Sequence, residues 1–164
     1  MIKVLFVCMG NICRSPTAEG VFTHLVAERG FKDRIIVDSA GTHGWHEGNP
    51  PDSRSIAAAV DRGIDISHQR SRRLVPADFH EYDYIVAMDR ANLDHMEGIC
   101  PPGAETKLSL LLEFAKQLEE EEVPDPYYGI GDGFSYVFDL VETAAGDLLE
   151  VIHARHLAVA ASPA

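Results

Sequence analysis

The stretch Val7-Cys8-Met9-Gly10-Asn11-Ile12-Cys13-Arg14-Ser15-Pro16 decides how this chain reads. Before it, residues 2 to 7 form a short apolar run rich in β-formers, the pattern of a strand buried on both faces of a parallel sheet. After it a helix opens. Ser15 is a preferred N-cap, and Pro16 suits a first turn, where its missing N–H costs nothing. Ala18, Val21, Phe22, Leu25 and Val26 then recur at spacings of three and four, which makes one helix face apolar, and Gly30 supplies the stop.

The loop itself, Cys8 to Arg14, carries the chemistry. Gly10 and Asn11 are the two residue types that most readily take positive φ, which lets successive backbone N–H groups turn inward as an anion-binding nest. The helix start adds its positive dipole end and unpaired donors. Arg14 adds a planar fork suited to two oxygens of one phosphate. A thiol in such a field is expected to ionise easily, since thiolates at helix N-termini beside cations have pKa values lowered from ~8.5 to roughly 3.5 to 7.5. The loop thus joins a nucleophile, Cys8, to an oxyanion cradle, the pairing that in-line attack on a tetrahedral phosphate ester requires. An inert buried cysteine is the plainer alternative, but it leaves the neighbouring cation and helix start without a purpose.

A second stretch, Val123-Pro124-Asp125-Pro126-Tyr127-Tyr128, is built to aim one carboxyl group. Prolines on both sides restrict the backbone, and a residue before proline is pushed to extended conformations. Between the two stretches, strands alternate with helices. Ile35 to Val37 is a strand ending at Asp38-Ser39-Ala40-Gly41-Thr42, small polar residues of the kind found where α/β sheets place their ligand crevice. A loop from His43 to Pro51 holds the only tryptophan, Trp45. Residues 53 to 62 read as a helix closed by Gly63, and residues 64 to 70 as connection. Arg70, Arg72 and Arg73 form the densest basic cluster, read as a solvated surface or a contact for acidic substrate flanks. Tyr82 to Met88 is a third strand, with Asp89 capping a short helix through Met96, and Thr106 to Leu108 is a fourth. Leu110 to Phe114 reads as a brief apolar helix, and Glu119 to Glu122 as a solvated acidic loop. Phe134 to about Ala160, capped by Asp132, is a long amphipathic helix covering a sheet face. The pattern predicts an α/β fold with an open, mostly parallel sheet, in one domain over residues 1–164.

Composition narrows the function. The formal charge of −12 argues against nucleic acid and against an anionic membrane surface as partners. Screening confines exposed charges to ~8 Å at physiological salt, so a local loop can still bind an anion, while the long-range field favours substrates with basic flanks. No apolar run approaches a ~20-residue membrane span, and the apolar stretch after Met1 is too short for a signal peptide. Three cysteines, two of them in one loop, make no disulfide framework and suit the reducing cytoplasm. Metal binding by Cys8, Cys13 and histidines is the competing idea. His43-x2-His46 and His153-x2-His156 lack the usual structural-zinc context, so no metal or other cofactor is expected.

The Cys8 to Pro16 stretch, followed downstream by Asp125-Pro126-Tyr127-Tyr128, resembles the low-molecular-weight protein tyrosine phosphatases. The resemblance spans nearly the whole chain in length and motif order. It implies four parallel strands with helices on both faces, and hydrolysis of phosphotyrosine through a phosphocysteine. Cys8 would be the nucleophile, Arg14 and the backbone N–H groups of Met9, Gly10, Asn11, Ile12, Cys13 and Arg14 the phosphate cradle, and Asp125 the general acid. Ser15 would hydrogen-bond the Cys8 sulfur. Ser39 and His68 would fix the side chain of Asn11, while Ile12, Trp45, Tyr127 and Tyr128 would form the substrate rim. Cys13 would be the redox partner of Cys8. The implied partners are phosphotyrosine proteins and a cognate tyrosine kinase, with the oligomeric state left open.

Four other readings meet the same residues. An arsenate reductase of this fold needs two further cysteines as a relay, and only Cys100 remains. A phosphocysteine carrier of a sugar transport system has no use for Arg14 or Asp125. A non-catalytic phosphotyrosine-binding module has no use for the complete set of Cys8, Arg14 and Asp125. A protein-arginine phosphatase is the closest alternative. In the arginine phosphatases that resemble this chain, threonine stands where this one has Ile12.

Overall fold

The computed structural model describes residues 1–129 and 131–158. Four strands, β1 (Ile2–Cys8), β2 (Ile35–Gly41), β3 (Tyr84–Ala87) and β4 (Leu108–Leu110), form one sheet in the order β2-β1-β3-β4, parallel throughout. The helices are α1 (Arg14–Glu28), α2 (Ser53–Val60), α3 (Asp78–Glu81), α4 (Arg90–Ile99) and α5 (Gly133–Ile152).

β1 is central, and the alternation of its side chains separates two cores. Val4, Phe6 and Cys8 face a cluster built with α1 and α5, where Phe6 meets Phe22 edge to face at 5.5 Å. Leu5 and Val7 face the other cluster, with Phe79, Ile85 and Met96. Every residue from Val4 to Val7 is fully buried, as a strand covered on both faces requires. The chain leaves β1 for β2 on one side and then crosses to β3 on the other. The C-terminal end of β1 is therefore the topological switch point, where an open parallel sheet leaves a crevice between diverging connections. The Cys8 loop begins there.

Several predicted boundaries shift for physical reasons. α1 begins at Arg14 with Cys13 in the cap position, and no side chain caps it. Ser15 lies inside the first turn, its hydroxyl turned towards Cys8 rather than to the helix backbone. Asp89 caps α4 as expected, in a reciprocal arrangement with Asn92. Asp132 stands at the α5 cap position but makes no capping bond. α5 ends at Ile152 and passes into a wide turn over His153–Leu157; the last part of the predicted helix, from residue 159, lies outside the described residues. Thr106 and Lys107 belong to a 3-10 turn before β4, and Leu111–Phe114 form another after it.

The basic cluster is also not a uniform surface. Arg72 is half-buried and pairs with Asp38 at 3.1 Å and with Asp78 at 3.0 Å, which bolts α3 to the middle of β2. Burial alone would lower its pKa, yet these two carboxylates hold it above the ordinary arginine value.

Candidate active site

The loop after β1 is tied off from the outside. The carbonyls of Cys8 and Met9 accept the backbone N–H groups of Thr42 (2.9 Å) and His43 (3.0 Å), and that of Ile12 accepts Asp52 N–H (2.8 Å). The hydroxyls of Ser71 and Thr17 donate to the carbonyls of Gly10 (3.1 Å) and Cys13 (2.8 Å). Among the described residues, no backbone N–H of residues 9 to 14 donates to a protein acceptor. With the acceptors turned out, the donors are left for a ligand over Cys8. The chain passes close to itself here: a side chain at Gly41 would sit 2.8 Å from the Met9 carbonyl.

Asn11 has φ 55°, the only positive φ at a non-glycine residue among those described. Its amide holds the loop shut. The side-chain oxygen must be the acceptor for Arg72 N–H (3.0 Å), because a backbone N–H can only donate. The amide nitrogen therefore donates, to Ser15 Oγ at 2.7 Å and Ser39 Oγ at 3.0 Å. Ser15 already accepts from Asn11, so its own proton goes to Cys8 Sγ, 3.0 Å away, or to the Ala40 carbonyl at 3.5 Å. The Ser39 hydroxyl donates to Glu19 Oε1 at 2.7 Å. One backbone N–H thus sets the orientation of the Asn11 amide and, through it, the two hydrogen bonds to Ser15 and Ser39. Burial pushes the Glu19 carboxyl up to about 7, with Asp38 adding to the shift while Ser39 and Arg72 oppose it.

Arg14 is 1% exposed. Its Nη1 donates to Asp89 Oδ2 at 2.5 Å and to the Val123 carbonyl at 3.1 Å. Burial pulls its pKa down, but Cys8, Asp89 and Asp125 hold it above the ordinary value, so it is a permanent cation. Asp125 stands beside it, with Oδ2 3.7 Å from Arg14 Nη2 and Oδ1 accepting Tyr127 N–H at 3.0 Å.

The family described as low molecular weight phosphotyrosine protein phosphatase matches residues 3–158 of the chain. This chain belongs to that family. A phosphatase of the same description from Schizosaccharomyces pombe is 46% identical over 134 residues, covering 81% of this chain and 85% of that one. The crystal structure of YfkJ from Bacillus subtilis, a low molecular weight protein-tyrosine-phosphatase, superposes with TM-score 0.91 at 37% identity, covering 95% of this chain and 97% of that one. The structure of a protein tyrosine phosphatase from Entamoeba histolytica, with Hepes in its active site, gives TM-score 0.91 at 39% identity over 94% of this chain and 98% of that one. A Drosophila arginine phosphatase gives TM-score 0.84 at 35% identity, over 94% and 98% of the two chains. The protein is a protein tyrosine phosphatase, a phosphomonoester hydrolase.

The cavity of this phosphatase encloses about 600 Å³, counting its open mouth. Cys8, Met9, Gly10, Ile12, Cys13 and Arg14 form its floor and lower wall, and Trp45, Tyr127 and Tyr128 line its mouth. Ile12 is 9% exposed and apolar; Trp45 (67% exposed) stacks on His43 at 4.2 Å, and Tyr128 is 90% exposed. Cys13 is buried, and burial, followed by Asp52 and Cys8, pushes its thiol up to about 12.

His68 does not reach Asn11. Its side chain is exposed, while the next residue, Gln69, turns inward and donates to the Pro16 carbonyl at 3.1 Å. The place at the Asn11 oxygen is taken by the backbone N–H of Arg72. Other members of the site carry no motif. Asp89 is legible only as a helix cap, although a polar residue two positions after β3 lies at the ligand edge of the sheet. Glu19 was hidden on the α1 face next to apolar residues. His46 lines the cavity and packs across Gly10, where a side chain would come within 3.1 Å of its ring. Arg54 lies over the Tyr127 ring at 5.5 Å while paired with Asp52.

Proposed function

We propose that the phosphatase works through a phosphocysteine on Cys8, with Arg14 and the loop N–H groups holding the phosphoryl oxygens and Asp125 as general acid and base. The Cys8 thiolate attacks phosphorus; the S–P bond forms as the P–O bond to the aryl group breaks, and Asp125 gives its proton to the departing phenolate oxygen. Water then attacks phosphorus and loses its proton to Asp125, and the S–P bond breaks. The Ser15 hydroxyl, 3.0 Å from Sγ, stabilises the sulfur as it leaves as thiolate. The observation that carries this reading is the meeting of Arg14 and Asp125, 3.7 Å apart, at a loop whose carbonyls are tied outward. No step asks for a metal or cofactor.

Phosphotyrosine proteins are the substrates, so a tyrosine kinase acts upstream of this enzyme. The thiols of Cys8, Cys13 and Cys100 are unpaired, which supports a reducing compartment, the cytoplasm. The rim of Ile12, Tyr127 and Tyr128 is suited to the faces of an aryl ring. Rapid acid quench of the enzyme with labelled aryl phosphate should recover phosphate on Cys8. Cys8→Ser should form no phosphoenzyme and lose turnover; wild-type turnover in that variant would sink the nucleophile assignment.

A further inference from the structure

The acidic run Glu119 to Glu122 is largely exposed, as its composition suggests, but two of its carboxylates are tied to the start of α4. Glu122 Oε2 accepts the backbone N–H of Arg90 at 2.9 Å, and Glu121 Oε2 lies 3.4 Å from Arg90 Nη2. Arg90 is the first residue of α4, where helical N–H groups have no partner within the helix and a carboxylate is favoured. The next residue, Val123, is fully buried. Its N–H donates to Met88 O at 2.9 Å, and its carbonyl accepts Arg14 Nη1 at 3.1 Å. Only Pro124 then separates this fastened strap from Asp125.

The start of α4 therefore holds both charged partners of the site. Asp89, its cap, grips Arg14, and the N–H that follows grips the strap leading to Asp125. We infer that Glu122 is a positioning residue for the general acid: through the Arg90 N–H it fixes where the Asp125 segment starts relative to Arg14. Resting on the acid role proposed above for Asp125, this gives the acidic run a purpose. An exposed carboxylate contributes little to stability by itself. Its leverage is geometric, because Pro124 restricts the backbone and carries a displacement at Glu122 onward to Asp125.

The test compares leaving groups. Glu122→Ala should lower kcat/KM for phenyl phosphate about 10-fold and that for 2,4-dinitrophenyl phosphate by less than about 2-fold, since only the poor leaving group needs a well-placed proton. Glu122→Gln, which keeps an acceptor oxygen, should restore most of the loss. In an Asp125→Ala background Glu122→Ala should have no further effect on phenyl phosphate. Equal losses on both substrates, or additive losses with Asp125→Ala, would overturn the inference. Asp125→Ala alone separates the two readings. If it shows no leaving-group dependence, the acid assignment falls and the strap with it; if it does and Glu122→Ala does not, only the strap falls.

Discussion

Asp125 and Ile12 carry the sharpest single-residue expectations. Asp125→Ala should cost ~10² to 10⁴-fold in kcat/KM for phenyl phosphate, the usual range for a general acid, and far less for 2,4-dinitrophenyl phosphate. Ile12 bears on substrate choice. It is an apolar, β-branched wall, and a guanidinium pressed against it without partners costs on the order of 1 to 3 kcal/mol, whereas an aryl ring gains from the same contact. The Drosophila arginine phosphatase shares the fold, so the fold does not choose between tyrosine and arginine. Matched phosphopeptides should show a clear preference for phosphotyrosine, and Ile12→Thr should move kcat/KM towards phosphoarginine. A wild-type preference for phosphoarginine would refute the role given to Ile12 while leaving the Cys8 chemistry intact.

At the scale of the loop and its supports, two titrations matter. Cys8 and Cys13 share one loop, so a sulfenic acid on Cys8 after peroxide should be captured by Cys13 as a disulfide and return to thiols on reduction. The attacking species is the thiolate, and the Cys13 thiol is pushed up to about 12 by its burial. Capture should therefore be slow near neutrality and accelerate up to about tenfold per pH unit above it. Cys13→Ser should stay active but fail to recover after peroxide; recovery equal to wild type would reduce Cys13 to a packing residue. Glu19 stands at the far end of the Asn11 network, beyond Ser39. With its carboxyl raised from 4.5 to about 7, chiefly by burial, the folded state holds this proton more tightly than the unfolded chain does. That contribution to stability is complete below the unfolded carboxylate range and disappears as pH rises through about 7. Glu19→Gln cannot ionise, so its Tm should fall less than that of wild type between pH 5 and 8. Parallel Tm curves would show that Glu19 does not titrate near neutrality.

For the molecule as a whole, a net charge of −12 surrounds a local anion site. Phosphopeptides with basic flanks should have lower KM than acidic ones at low salt, and the gap should close as ionic strength rises past ~0.15 M, where the screening length is ~8 Å. A gap that persists in high salt would assign the preference to direct contacts at the rim.

What the sequence determined by itself is the part of the site made of neighbours in the chain. A β-run, an asparagine that accepts positive φ and a helix start are local properties, and Asn11 takes φ 55° as expected; Gly10 does not take positive φ and instead makes room for the His46 ring, while Pro124-Asp125-Pro126 restrains a carboxyl group locally. The alternation of β1 and the period of α5 likewise reveal the layered α/β fold, although α5 stops at Ile152 and Ser15 lies inside α1 beside Cys8, since a hydroxyl that caps and one that contacts a thiol look alike in sequence. Only the tertiary structure decided what holds the loop. Arg14 meets Asp89 across 75 positions, Asn11 meets the Arg72 backbone across 61, and Ser39 joins them from 28 positions away. Such bonds leave no period or spacing in the chain. A backbone N–H, as at Arg72 or Arg90, leaves no residue type either, which is why the sequence points to His68 where Arg72 N–H stands and gives no sign of the bond from Arg90 to the exposed Glu122. Parallel strands joined by long crossovers bring these groups to one edge of the sheet, and that convergence exists only once the sheet has formed.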